Sequence, residues 1–205
     1  MNEQARPVSL AITGASGSAY GLRLLESLLK AGRRVYLMVS DAGRIVIPTE
    51  TGMELPYTPE EIGAFLSARY AAAEGQLTVF GRDQWTAPVA SGSNAPEAMV
   101  VCPCSVGTLS AIASGASNNL IERAADVALK EQRKLILVVR ETPLSAIHLE
   151  NMLKLARLGV VIMPASPGFY NRPTSLDEVV DFMAARVLDH LGVEAGLAPR
   201  WGEAE

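Results

Sequence analysis

Short, continuously apolar segments alternate with amphipathic segments along this chain, and this alternation restricts the fold more than any other feature. Residues 8–13 and 35–39 are apolar runs, and residues 20–30 between them place leucines at helical spacing. This order predicts a β-α-β unit with a right-handed crossover and two parallel strands. Because each strand is apolar throughout, we expect the sheet to be buried on both faces.

The same alternation continues to residue 191. Further strands are predicted at 77–80, 98–102, 134–139 and 160–163. Helices are predicted at 59–72, after Ser105, and at 121–130, 145–158 and 175–191. Thr58 and Glu61 resemble a capping box before the first of these helices. We therefore predict an α/β fold: a single-domain, Rossmann-like three-layer α/β/α sandwich with a mainly parallel sheet.

Length and charge narrow the class of protein further. A chain of 205 residues has the size of one domain. We expect this domain to span 1–205, with its core at about 8–192 and a tail, 193–205, that docks near the functional site and carries Trp201. Lys and Arg number 18 against 22 Asp and Glu, a net charge of -4, which argues against a nucleic-acid partner.

The apolar content is high for so few charges. Hydrophobic residues make up 49% and charged residues 20%, where about 25% charged is usual. The longest purely apolar runs are the length of strands, so we expect no membrane span. A homo-oligomer that covers apolar surface therefore explains the high apolar content better than a membrane protein does.

The first residues and the cysteines bear on location. Residues 1–7 contain charges and no apolar segment of the kind found in signal peptides, which predicts a cytoplasmic protein. Cys102 and Cys104 are expected to be buried packing residues in a reducing compartment. His148 and His190 lack the spacing of metal ligands, so we predict no metal site.

Two strand ends lead into segments rich in small and hydroxyl side chains, at 13–21 and 101–110. Ligands of doubly wound sheets bind beyond the carboxyl ends of the strands, and helix N-termini there attract anions. Two such N-termini at one edge suit a phosphate and an extended aromatic group. The first segment lacks the Gly-x-Gly-x-x-Gly spacing, so no dinucleotide is implied. A tight turn that requires glycine is the alternative explanation for it.

Other strand ends carry charged or aromatic residues. Arg140 directly follows an apolar run and suits a phosphate or carboxylate, although a surface ion pair with Glu141 is an alternative. Tyr170 lies in a proline-bounded loop and either forms the wall of a pocket or covers the core. Lys130 is most simply a charge that favours the C-terminus of a helix.

Five segments together resemble the UbiX family of flavin prenyltransferases. The most specific is Arg140-Glu141-Thr142-Pro143-Leu144, combined with the loop that holds Phe169-Tyr170. The others are Gly14-Ala15-Ser16-Gly17 with Tyr20-Gly21, Pro103-Cys104-Ser105, and Arg123-Ala124-Ala125-Asp126-Val127. The resemblance extends from residue 8 to residue 201.

The resemblance implies a single flavoprotein-type domain that transfers a dimethylallyl group, without a metal, from dimethylallyl phosphate to N5 and C6 of reduced FMN. The product is prenylated FMN, the cofactor of UbiD-type decarboxylases, which serve ubiquinone biosynthesis or aromatic acid decarboxylation. Members of the family form dodecamers with sites between subunits.

Residue roles are implied position by position. FMN would contact Gly14, Ala15, Ser16, Ser40, Ser105, Val106, Gly107, Thr108 and Arg140. Dimethylallyl phosphate would contact Tyr170, Arg186, Arg123, Lys130 and Glu141, partly from neighbouring subunits. The catalytic set would be Ser16, Glu50, Glu141, Lys130 and Tyr170. Ser16, Glu50 and Glu141 would handle protons, and a carboxyl whose pKa is raised by an apolar setting suits that task, with the division between the two glutamates open.

Three other functions are alternatives to prenyl transfer. A short-chain reductase that uses NAD(P) requires a Tyr-x-x-x-Lys pair, and no tyrosine here has lysine four positions later. Flavin-dependent cysteinyl decarboxylases use a histidine in the N-terminal half and an asparagine at the position of Gly107, whereas both histidines here are late in the chain. A non-enzymatic FMN carrier or chaperone remains an alternative.

Overall fold

Six parallel strands form a sheet with helices on both faces in the computed structural model, which describes residues 6–199 and 202. The strands are β1 (Val8–Ile12), β2 (Val35–Val39), β3 (Leu77–Phe80), β4 (Ala98–Cys104), β5 (Lys134–Val139) and β6 (Val161–Pro164). The helices are α1 (Ser18–Lys30), α2 (Asp41–Thr51), α3 (Pro59–Arg69), α4 (Val106–Ser114), α5 (Leu120–Lys130), α6 (Ala146–Arg157) and α7 (Leu176–Leu191).

The core lies in two layers, one on each face of the sheet. Apolar side chains of α1, α2, α3 and α7 form one buried cluster, and those of α4, α5 and α6 form the other. All five residues of β1 are buried, as expected for a central strand covered on both sides. The predicted α/β/α sandwich is confirmed.

The strand order is β3-β2-β1-β4-β5-β6, which is the order of Rossmann-type sheets. The direction of winding reverses between β1 and β4, so the loops that follow these two strands diverge and leave a crevice. Thr13 joins the two loops: its hydroxyl donates to the carbonyl of Pro103 at 2.8 Å and accepts from the N–H of Ser105 at 2.9 Å.

Most predicted elements are present with small shifts of their ends. The capping box of Thr58 and Glu61 is formed, and Ser105 caps α4. Helix α1 begins two residues earlier than predicted, and β4 continues to Cys104. No described helix is long and apolar enough to cross a membrane.

Helix α2 was missed by the sequence analysis. Its sequence contains Gly43, Pro48 and several β-branched residues, all of which disfavour a helix interior. The helix forms because the Ser40 hydroxyl accepts from the N–H of Gly43, and because Ile47 is fully buried against the core. Tertiary packing therefore overrides the weak local propensity.

Candidate functional site

Three helix N-termini open into one cleft of about 310 Å³ at the carboxyl ends of β1, β2 and β4, which we call the switch-point cleft. Each helix has a capping side chain in the cleft: Ser40 for α2, Ser105 for α4 and Asn119 for α5. These caps accept from backbone N–H groups at 3.0–3.3 Å. Three converging positive dipole ends favour an anion, and the cleft fits a phosphate with an attached chain.

Glycine is required where the loop after β1 meets α2. A Cβ atom at Gly14 would lie 2.3 Å from the Cβ of Ala42, so only glycine lets the two backbones approach. The structure thereby places part of the predicted FMN set in the switch-point cleft: Gly14, Ser40, Ser105, Gly107 and Thr108. Ala15 and Val106 are adjacent in the chain to these residues, and Ala15 is buried.

The N-terminus of α1 differs from expectation because it already holds a carboxylate. Glu50 accepts from the N–H groups of Gly17 at 3.0 Å and Ser18 at 2.8 Å, and from the Ser18 hydroxyl at 2.7 Å. The expectation that this helix N-terminus presents unpaired N–H groups is therefore wrong, because a carboxylate of the same chain occupies them.

The environment of Glu50 corrects a second expectation. Burial raises the pKa of this carboxyl, but hydrogen bonds from Ser16, Ser18 and Gly17 lower it by more, and the net pKa is below the ordinary value. A raised pKa was expected for Glu50, and that was wrong. At neutral pH Glu50 is a carboxylate of low basicity that orients its donors.

Arg140 lies beside the loop after β1. Its Nε donates to the carbonyl oxygen of Ser16 at 3.2 Å, and among the described residues its guanidinium forms no ion pair with Glu141. Arg140 is half-buried and keeps donors for a ligand. Arg140 and Ser16 are thus brought together at the end of β1.

A second concavity, of about 660 Å³, runs along α7 and is called the α7 groove here. Tyr170 and Arg186 both line it. The Tyr170 ring packs edge-on against Phe182, with centroids 5.7 Å apart, and Arg186 donates to Asp189 at 2.7 Å. This placement favours Tyr170 as a pocket wall over Tyr170 as a cover of the core.

The described part of the predicted tail borders the same groove. Residues 193–199 line its other side, and Asn171 in the Tyr170 loop donates to the carbonyl of Pro199 at 3.3 Å. Trp201 lies outside the described residues.

A single chain does not assemble the rest of the predicted prenyl-phosphate set. Helix α5 has 11 residues and spans about 16 Å, so Lys130 at its C-terminus lies at the opposite edge of the sheet from the switch-point cleft. Lys130 pairs there with Glu131. Arg123 donates to the Ala90 carbonyl at 3.0 Å and to Asp126.

Glu141 is likewise separate from these two cations. Its carboxylate accepts from the N–H of the next residue, Thr142, at 3.0 Å. The three predicted phosphate partners Arg123, Lys130 and Glu141 therefore do not meet within one chain.

Several residues in the switch-point cleft were missed by the sequence analysis. Asn119 and Glu122 form a capping pair for α5, and the three-residue spacing of an Asn and a Glu is a signal that predicts such a cap. Asp41 and Arg82 form an ion pair at 2.5 Å across the cleft. No local pattern marks them, because they belong to segments 41 positions apart.

The cysteines are inert in this structure. Cys102 and Cys104 are buried, and burial raises the pKa of both thiols, that of Cys104 to about 12. Both thiols are therefore protonated at neutral pH. Within residues 6–199 and 202, no group of three or more His, Cys, Asp or Glu is arranged to hold a metal ion.

A parallel sheet in Rossmann order, with capped helix N-termini converging at its switch point, defines a protein of the nucleotide- and flavin-phosphate-binding class. A model of the flavoprotein family matches residues 1–188. A curated relative, the flavin prenyltransferase UbiX of Pseudomonas aeruginosa, is 59% identical over 196 residues, covering 96% of this chain and 94% of that protein. The chain belongs to the flavoprotein family and, within it, to the UbiX flavin prenyltransferases.

Solved structures agree with this assignment. AnUbiX in complex with FMN and dimethylallyl pyrophosphate is similar with a TM-score of 0.85 and 39% identity, covering 98% of this chain and all 100% of that one. A dodecameric FMN-dependent UbiX-like decarboxylase from Escherichia coli O157:H7 is similar with a TM-score of 0.84 and 40% identity, covering 96% of this chain and 100% of that one.

Proposed function

We propose that this protein is a flavin prenyltransferase that transfers the dimethylallyl group of dimethylallyl phosphate to N5 and C6 of reduced FMN, releasing phosphate and prenylated FMN. The observation that carries the proposal is the switch-point cleft, where three capped helix N-termini converge in a chain 59% identical to a flavin prenyltransferase. Reduced FMN supplies the nucleophilic atoms when bound. The chain's own residues bind and orient the two substrates and exclude water from them.

The FMN phosphate is assigned to the switch-point cleft. Ser40, Ser105 and Thr108 present hydroxyls there beside the N-termini of α2 and α4. Gly14 and Gly107 keep the walls free of side chains. Ser16 and Arg140, which lie together at the loop after β1, would contact the rest of the flavin.

Dimethylallyl phosphate is assigned to the α7 groove, with Tyr170 and Arg186 as its partners. When the allylic C–O bond breaks, phosphate leaves with the electron pair, and Arg and Tyr donors stabilise the charge that develops on it. The aromatic pair Tyr170 and Phe182 provides an apolar wall for the allylic cation. Arg123 and Lys130 of neighbouring subunits complete the phosphate site beside Glu141.

Proton handling is assigned to Ser16, Glu50 and Glu141. The low pKa of Glu50 and its hydrogen bond with Ser16 favour Glu50 as the group that orients the Ser16 hydroxyl. Glu141, which is engaged only with its neighbour's backbone N–H among the described residues, is the better candidate to accept the proton lost on ring closure.

The remaining assignments concern partners and setting. We propose a homo-oligomer, a dodecamer like the E. coli relative, because that relative is dodecameric and the residues of the proposed prenyl-phosphate set do not meet within one chain. We further propose a UbiD-type decarboxylase as recipient of the product, a cytoplasmic location, and one domain over 1–205 whose tail docks at the α7 groove. The contact of Asn171 with Pro199 supports this last assignment.

The test is an anaerobic incubation of the protein with reduced FMN and either dimethylallyl phosphate or dimethylallyl pyrophosphate. We expect flavin mass to increase by one C5H8 unit with the monophosphate, and the product to activate an apo UbiD-type decarboxylase. Flavin of unchanged mass with both donors would reject the enzyme. Tight FMN binding in the same sample would then favour the carrier or chaperone, and loss of carbon dioxide from an added carboxylic acid would favour a decarboxylase.

A further inference from the structure

An ion pair spans the mouth of the switch-point cleft. Arg82 Nη1 lies 2.5 Å from Asp41 Oδ2, and the two side chains are 54% and 67% exposed. A second carboxylate, Asp83, is 3.8 Å from Arg82 Nε. The pair is therefore solvated, and exposed ion pairs contribute little to stability.

The backbone places this pair between two of the converging helix N-termini. Asp41 is the first residue of α2 and directly follows its cap, Ser40. Arg82 follows β3, and its carbonyl accepts from the N–H of Leu120, the first residue of α5, at 2.8 Å. Arg82 is thus anchored through its main chain, while its guanidinium is free to change partner.

The charges of the cleft favour such a change. Of the described residues that line the cleft, Arg82 is the one cation, whereas Asp41 and Glu122 are carboxylates. Glu122 is engaged by the N–H of Asn118 at 2.7 Å and the amide of Asn119 at 2.8 Å. A phosphate dianion in the cleft would be repelled by both carboxylates, and Arg82 is the cation among the described lining residues that can offset this repulsion by binding the phosphate.

We propose that Arg82 is a specificity-determining residue that leaves Asp41 to bind the flavin phosphate, so that the protein selects phosphorylated FMN over riboflavin. The inference rests on the proposed function. A guanidinium binds phosphate oxygens through two parallel N–H donors, and one of the Arg82 donors is the group that binds the Asp41 carboxylate in this structure.

The test measures dissociation constants of oxidised FMN and of riboflavin by quenching of flavin fluorescence. Arg82→Gln is expected to weaken the binding of FMN about tenfold, which corresponds to about 1.4 kcal/mol, and to leave the binding of riboflavin unchanged. Arg82→Lys keeps the charge but not the paired donors. Its dissociation constant for FMN should therefore lie between those of the wild type and Arg82→Gln. Asp41→Asn removes the competing carboxylate and should tighten FMN without affecting riboflavin.

The matched control is Arg69→Gln, which removes the same charge from an exposed arginine at the end of α3, away from the cleft. It should change neither constant. FMN affinity that is equal in wild type and Arg82→Gln, or an equal loss for both flavins, would overturn the inference alone. A wild-type protein that binds neither flavin would overturn the proposed function, and the inference with it.

Discussion

At the scale of single residues, Glu50 acts as the N-terminal cap of a helix that has none of its own. Gly17 at the start of α1 offers no side-chain cap, and the carboxylate that replaces it comes from 33 positions away. Charge-assisted bonds to backbone N–H groups are stronger than neutral ones. One residue thus joins α1 to the end of α2 and shapes the loop that holds Ser16.

This role predicts a pH-dependent effect of Glu50→Gln. At neutral pH the variant should lose about 1 kcal/mol in the free energy of unfolding, the typical value of a helix cap. Because folding lowers the pKa of Glu50, its contribution is complete above the ordinary pKa of 4.5 and is lost as pH falls through the lowered folded-state pKa. Urea unfolding across this range measures the difference.

The control for that measurement is Glu54→Gln, because Glu54 is an exposed glutamate in the loop after α2. Its curve should follow the wild type at every pH. A Glu50→Gln difference that stays constant down to strongly acidic pH would contradict the capping role of the carboxylate.

A second prediction at this scale separates the two concavities. Tyr170→Phe and Arg186→Ala change the α7 groove and leave the switch-point cleft intact. Both variants should bind dimethylallyl phosphate at least several-fold more weakly and bind FMN as the wild type does. Calorimetric titration of each ligand measures this, with Arg69→Ala as the control, and an equal loss of both ligands would contradict the separation.

At the scale of elements, α1 packs directly against β4. A Cβ atom at Gly21 would lie 2.2 Å from the carbonyl oxygen of Cys102, so the helix can approach the strand only where a side chain is missing. This contact holds the N-terminus of α1 beside the loop that starts α4. The close packing of these two elements therefore sets the width of the crevice between β1 and β4.

The contact predicts opposite effects of two glycine substitutions. Gly21→Ala should lower the free energy of unfolding by about 3 kcal/mol, because a backbone oxygen cannot give way. Gly63→Ala, inside α3, meets only Val79 at 3.6 Å and should raise it by about 0.5–1 kcal/mol. Thermal and urea unfolding compare the pair, and a neutral Gly21→Ala would contradict the close contact.

At the scale of the whole molecule, helix α6 is covered on one side only. Leu155 is its buried residue, whereas Leu149 and Leu153 are 53% and 51% exposed and Ile147 is 66% exposed. These side chains account for part of the apolar excess in the composition. A helix that presents apolar residues to solvent in one chain is typical of an interface between copies.

The prediction for this scale is that Leu153→Glu converts the proposed oligomer to smaller species without unfolding the chain. A buried carboxylate at an interface is costly, whereas the same group on an exposed surface is tolerated. Analytical ultracentrifugation measures the size, and circular dichroism the fold. Lys154→Glu, a charge change at the next position, is the control, and an assembly unchanged by Leu153→Glu would place the interface elsewhere.

If Leu153→Glu disrupts the assembly, the rate of prenyl transfer should also decrease. The reason is that Arg123, Lys130 and Glu141 meet only between copies in the proposed site. FMN binding depends on residues of one chain and should persist. Loss of transfer with retained FMN binding in Leu153→Glu would support the shared site.

Local sequence patterns are sufficient to predict most of the elements and several of their caps. The apolar runs at β1, β2 and β5 and the capping box of Thr58 and Glu61 are local patterns, because strand burial and helix capping depend on residues a few positions apart. The resemblance to UbiX proteins also depended on local strings, such as that at Arg140. These features needed no knowledge of the path of the chain.

The remaining features depend on contacts between residues that are far apart in the chain. Helix α2 forms against its own propensities through the burial of Ile47, and Glu50 at its end reaches Gly17 and Ser18, which lowers a pKa that was expected to rise. The path of helix α5 across the sheet likewise places Lys130 and the switch-point cleft at opposite ends of the strands. Hydrogen bonds, burial and charge act over ångströms in space, and residues far apart in the chain become neighbours only once the strands have taken their order.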